Sequence, residues 1–122
     1  MNRELVRSIG SSTVDNLIAK LSPAAETFGV TLAAGAGSLK RGTLLAVNNA
    51  GKYTIAGTAS TTVSCVLAED ADASGSEDVT AVAYRSGNFN RAAIIVKSDY
   101  TLTAADEDAL RKYDIIFTDM MD

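Results

Sequence analysis

The sequence predicts a mainly β domain, a small antiparallel barrel or sandwich with one short helix near the C-terminus and an arm ahead of it. Three observations carry that prediction. Apolar and polar residues alternate with period two from Thr27 onward, the segments that do so are short and end at glycine- or asparagine-bearing turns, and a single stretch has helical caps. Most gaps between the segments are too short for crossover helices, which leaves neighbouring strands joined by turns.

Residues 1–26 are set apart as the arm and 27–122 as the β-rich domain. Residues 1–12 are polar without a sustained period. Val14, Leu17, Ile18 and Leu21 then fall at i, i+3, i+4 and i+7, the spacing of an amphipathic helix, with Ser12 or Thr13 as candidate N-cap. Two turns of isolated helix are marginal in water, so the segment reads either as one short surface helix or as an arm that orders only against a partner. Pro23, the only proline, biases Ser22 toward an extended conformation.

Phe28, Val30 and Leu32 alternate with Thr27, Gly29 and Thr31 in the first strand, which ends at the glycine-bearing residues 34–38. Residues 43–47 and 52–56 flank Asn48-Asn49-Ala50-Gly51, a composition suited to positive φ and hence to a hairpin turn. Residues 63–68 are almost wholly apolar, as expected of a strand covered on both faces. Residues 79–85 alternate again and are expected to end in a turn at Ser86-Gly87-Asn88, with a further strand at 92–96. The helix is expected over 104–112. Thr103 and Asp106 form a T-x-x-D capping signal, acids fill the first turn, and Arg111 and Lys112 close the last. Asp114 leads into a final strand at 115–117.

Composition narrows the chemistry. The 122 residues contain no His, no Trp and one Cys, so a His-dependent nucleophile, an imidazole base, a His-containing zinc site and an intrachain disulfide are all closed off. The net charge of −4 is unevenly spread: six basic and three acidic residues in 1–60 give +3, and five basic and twelve acidic residues in 61–122 give −7. An acidic chain without a basic cluster is a poor partner for nucleic acid. No run is long and apolar enough to span a membrane, and the first ten residues are too polar for a signal peptide, so synthesis in the cytoplasm is expected.

The acidic loop at 69–78 is the one stretch that imitates a reactive site. Counted as a calcium loop from Asp70, it places oxygen-bearing residues at positions one, three, five, seven and nine and Gly75 at six. Position twelve, where the bidentate Glu belongs, is Ala81, and the flanks read as strands, so a solvated turn from Asp70 to Asp78 is the expectation. Asp70 and Asp72 also make the D-x-D pair of an aspartyl-phosphate enzyme, without the βαβ alternation that such a site needs. Gly35, Gly37 and Gly42 match neither phosphate-loop pattern in full and read as turn glycines. Cys65 lies in an apolar run without a cationic neighbour and reads as a buried, inert thiol. No catalytic residue, cofactor or metal site is assigned.

Six blocks in order carry a resemblance: Asp15-Asn16-Leu17-Ile18-Ala19, Leu39-Lys40-Arg41-Gly42-Thr43-Leu44-Leu45, Gly51-Lys52-Tyr53, residues 66–75 (VLAEDADASG), Tyr84-Arg85-Ser86-Gly87-Asn88-Phe89-Asn90, and Ala109-Leu110-Arg111. Together they resemble the lambda-type head decoration proteins of tailed bacteriophages, over residues 15–117. The resemblance implies a non-enzymatic capsid protein with a small β-clip or barrel-like fold. It implies a homotrimer seated on the outside of the expanded head at three-fold positions, clamping capsomers against the pressure of packaged DNA. The implied partner is the major capsid protein, with no direct nucleic-acid or membrane contact, and the implied location is the virion after synthesis in the host bacterial cytoplasm. It places the capsid-binding arm in residues 1–26, at Asp15, Asn16, Leu17 and Ile18, often as a strand added to the partner. Two features depart from the pattern, the additional polar residues 1–12 and the helical spacing up to Leu21. A trimeric β-scaffold or binding module of another phage or bacterial shell or tail would share the barrel and the empty catalytic inventory.

Overall fold

A computed structural model describes residues 16–57 and 62–119. Its elements are β1 (Ile18–Lys20), β2 (Glu26–Leu32), β3 (Gly37–Leu39), β4 (Leu44–Val47), β5 (Tyr53–Ile55), β6 (Val63–Leu67), β7 (Ala71–Ala73), β8 (Val79–Asn90), a 3₁₀ turn (Arg91–Ala93), α1 (Ala104–Arg111) and β9 (Ile115–Thr118). The fold is mainly β. Five strands close a ring in the order β8, β2, β5, β4, β6 and back to β8, a small barrel. β3 and β7 pair antiparallel as a separate ribbon.

Two cores explain the apolar strands. Val30, Leu32, Leu45, Cys65, Leu67, Ala81 and Ala83 fill the barrel, and Leu39 and Ala73 of the β3–β7 ribbon plug one end. Leu44, Ala46 and Val66 point the other way, into a second core with Leu17, Phe89, Leu110, Ile115 and Phe117. β4 and β6 are therefore sandwiched between cores, which is why residues 63–68 show no alternation. The hairpin expected at Asn48-Asn49-Ala50-Gly51 forms: Val47 pairs with Tyr53, Gly51 takes φ 78°, and the Asn48 Oδ1 accepts from the amides of Ala50 and Lys52 at 2.9 and 3.0 Å.

The structure corrects the reading of residues 86–96. Ser86-Gly87-Asn88 is no turn, because β8 runs without a break through twelve residues. Its first half closes the barrel against β2 and β6. A register shift leaves Arg85 as the extra residue of a bulge, and Gly87 sits at φ 147°, where the strand changes partners. Its last residues then pair with β1 antiparallel and with β9 in parallel. Residues 92–96 form no strand. Asn90 caps the 3₁₀ turn by accepting from the Ala92 amide at 3.1 Å, and the chain then meets the barrel at a parallel bridge, Thr43 with Ile95, and at the Lys97 amide, which donates to the Ala56 carbonyl at 2.9 Å. The anchor at the turn is Arg91, whose guanidinium is bidentate on Glu107 (3.0 and 2.8 Å), donates to the Phe117 carbonyl (3.1 Å) and pairs with Asp119.

The helix forms as expected, with a full capping box: the Thr103 hydroxyl accepts from the Asp106 amide and the Asp106 carboxylate from the Thr103 amide, both at 3.1 Å. Burial pulls the Asp106 carboxyl up, but the hydrogen bonds from the Tyr100 hydroxyl and from Thr103 outweigh it and hold the group below its ordinary value of 3.8. A depressed folded pKa stabilises above the unfolded value, and that contribution is lost as pH falls through the folded one. Melting midpoints of the wild type are therefore expected to fall as pH drops below about 4, and part of that fall should be absent in Asp106→Asn. Thr103→Ala, measured at pH 7, should cost about 1 kcal/mol.

Candidate functional site

The residues that imitated chemistry are occupied with holding turns. The Asp70 carboxylate accepts from the Arg41 amide at 2.8 Å, and Asp72 accepts from the amide and hydroxyl of Ser74 at 3.0 and 2.5 Å, bonds that hold its carboxyl below the ordinary range. Asp78 pairs with Lys52 at 2.5 Å and accepts from the Ala34 amide at 2.9 Å, with the same effect on its carboxyl. Glu69 accepts from the Val82 amide at 3.2 Å. The expected solvated turn is thus interrupted by β7, whose Asp72 pairs with Ser38. Among the described residues no three His, Cys, Asp or Glu side chains gather as a metal site. Cys65 is buried inside the barrel, its strand position opposite Leu45, and burial pushes its thiol up to about 12, so it stays a thiol at neutral pH.

The surface that is built, rather than merely capped, lies where the arm meets the bend of β8. Asp15 and Val14 fall outside the described residues. Asn16 adopts φ 57°, a left-handed conformation that asparagine tolerates and most residues do not. Leu17 is 2% exposed in the second core, and its carbonyl accepts from the Asn90 amide at 2.8 Å. Ile18 pairs with Phe89 in β1 and Leu21 lies in the bend that follows, so the described residues read at helical spacing form no helix; a ladder along β8 supplies backbone partners that two helical turns would lack. Beyond β1 the chain stays clipped to the same strand. Asn88 Nδ2 donates to the Ser22 carbonyl at 3.2 Å and Ser86 Oγ to the Ala24 carbonyl at 2.7 Å. Thr118 Oγ1 donates to Asn88 Oδ1 at 2.6 Å, so the buried amide of Asn88 is satisfied on both sides and ties β9 to the arm.

Beside this seam the barrel is open. Opposite the end plugged by β3 and β7 lies a cavity of about 600 Å³, walled by Phe28, Val47 and Val63, by Pro23 and Ala24, and by the loop at Tyr113. Glu26, Arg85 and Asp114 stand in the same wall. One large apolar side chain of its wall, Tyr113, is 68% exposed. Sequence reasoning missed the side chains of Ser86 and Asn88 as clips for the arm because it read them as a turn. Arg91 carried no local signal, since its partners lie 16 to 28 residues away.

A small closed barrel with its N-terminal segment clipped along its longest strand defines a β-rich module. The family model for bacteriophage lambda head decoration protein D matches residues 8–116. The chain belongs to that family of phage structural proteins. No curated protein matches it. No helix among the described residues is long and apolar enough to cross a membrane.

Proposed function

We propose that the protein decorates a phage head: it binds as a homotrimer to the outside of the expanded capsid at three-fold positions and stabilises the shell against the pressure of packaged DNA, with residues 1–26 engaging the major capsid protein. Membership of the decoration family supports the role. The observation that carries the mechanism is the root of the arm. Leu17 sits in the core, and the Ser22 and Ala24 carbonyls are clipped to β8, so the chain that reaches Asn16 is presented from a fixed point.

On this reading Asp15 and the residues before it meet the capsid, Leu17 acts as the anchor, and Asn16 and Ile18 set the direction of approach. A segment that adds as a strand gains main-chain hydrogen bonds but loses conformational entropy, so one arm binds weakly. Three arms on one trimer make later contacts intramolecular and raise avidity by ~10²–10⁴. A trimer that binds only the assembled, expanded shell stabilises it by mass action. No catalysis and no cofactor enters this role.

Cosedimentation with expanded and unexpanded heads tests it. The full chain is expected on expanded heads alone, and a variant lacking residues 1–15 is expected to stay folded and remain in the supernatant. Full occupancy by that variant would sink the arm assignment. The cut belongs at residue 15, because removing residues 1–26 would also take Leu17 out of the core.

A further inference from the structure

The barrel is closed unevenly. β2 pairs with β8 from Glu26 to Leu32, yet among the described residues its other edge meets β5 at Leu32 alone, opposite Tyr53. The Ala33 amide donates to the Tyr53 carbonyl at 2.9 Å, and strand alternation turns the amides and carbonyls of Thr31, Gly29 and Thr27 to that same side. Thr27 and Gly29 are exposed, and a Cβ on Gly29 would meet nothing within 4 Å. Residues 27–32 contain no charge and no proline, the usual means of blunting an open edge. The edge also runs straight into the open mouth of the barrel, where Glu26 and Phe28 share the cavity wall with Val47 and Val63.

Edge and mouth together specify an occupant. An open edge takes an extended strand through its main chain, and a cavity beside it takes every second side chain of that strand, here apolar ones against Phe28, Val47 and Val63. The same cavity is walled by Pro23 and Ala24 and by Ser86, which lies four residues along β8 from Asn90, whose amide holds the Leu17 carbonyl where the arm leaves the barrel. About 13 Å of strand separates these two points, so a protein held by the arm is within reach of the mouth. We infer that the β2 edge and the barrel mouth receive an extended, alternately apolar segment of the shell protein, a second attachment point beside the arm. This rests on the decoration reading above. Two contacts on one subunit raise each other's effective concentration, so each can be weak while the pair holds.

The test compares the full-length wild type with Thr27→Pro, Val47→Lys and Ser76→Lys on expanded heads, together with melting curves and solution mass. Thr27→Pro removes an amide that faces the open edge and leaves the β8 ladder its donors. Val47→Lys puts a charge in the mouth at a side chain that belongs to neither core. Ser76→Lys adds the same charge to an exposed loop of the acidic stretch. The first two are expected to fold, keep the wild-type mass and bind at least tenfold more weakly, while Ser76→Lys binds as the wild type does. Should Thr27→Pro fail to fold, Thr27→Lys replaces it at the edge. Wild-type affinity in the folded edge and mouth variants overturns the inference and leaves the decoration role standing. Loss of self-association in them also overturns it and assigns the mouth to a second copy of this chain. A wild type that does not bind heads removes the decoration reading and this inference with it.

Discussion

Gly87→Ala is expected to destabilise the domain by about 3 kcal/mol, or roughly 12–24 °C in melting midpoint for a domain of about 100 residues. Two costs combine. Gly87 sits at φ 147°, where an L side chain is strained, at a cost of roughly 1–3 kcal/mol. A Cβ there would also lie 2.8 Å from Phe89 Cζ and 3.2 Å from Cε2, and Phe89 is fully buried between Tyr84 and Phe117, so its ring has little room to yield. Overpacking of that kind adds roughly 1–3 kcal/mol. The damage falls on the link between the barrel and the β1–β8–β9 sheet, since Gly87 is paired with Ile115 and its amide donates to the Asp114 carbonyl at 2.9 Å. Gly75→Ala is the control. Gly75 lies in open space without a positive φ, and its substitution should stay within about 0.5 kcal/mol. Thermal or urea unfolding of both variants decides it, and a loss below 1 kcal/mol for Gly87→Ala would show that Phe89 can move aside.

That glycine also marks where the sequence stopped being legible. Period two and turn composition place β2, the β4–β5 hairpin and β6 close to where they lie, because each is settled by neighbours in sequence: Asn48 caps its own turn and alternation sorts Phe28 from Thr27. The capping box of α1 is legible for the same reason, Thr103 and Asp106 being three residues apart. Ser86-Gly87-Asn88 has the composition of a turn and the conformation of a strand, since its glycine serves a change of partners and its two polar side chains clip the arm, neither of which leaves a local mark. Two parallel pairings, β8 with β9 and β2 with β5, were likewise hidden, because they join segments far apart in the chain. The arm shows the strongest override. Its apolar spacing is helical, yet the described part lies along β8, where the backbone partners and the buried site for Leu17 outweigh an intrinsic preference.

Leu17→Ala is the second large effect, at about 2–5 kcal/mol, the range for truncating a buried leucine where the surroundings collapse only in part. Leu17 is 2% exposed among Leu44, Phe89 and Ile115, and its Cδ1 would lie 3.4 Å from a Cβ on Gly42, so the space it leaves is walled by residues that already have other work. Leu17→Met should recover most of the loss, because it restores volume with little strain. Lys20→Ala, exposed at the end of β1, should be near neutral. Binding to expanded heads gives these variants their functional meaning. If Leu17 is an anchor that fixes where the arm leaves the barrel, Leu17→Met keeps affinity along with stability, and Leu17→Ala loses both. If Leu17 instead leaves the core to touch the capsid, a leucine-shaped pocket in the partner discriminates against methionine, and Leu17→Met loses affinity while its melting midpoint stays near the wild type. The first outcome is expected, since pulling Leu17 out would open the core around Phe89 at a cost comparable to the truncation itself.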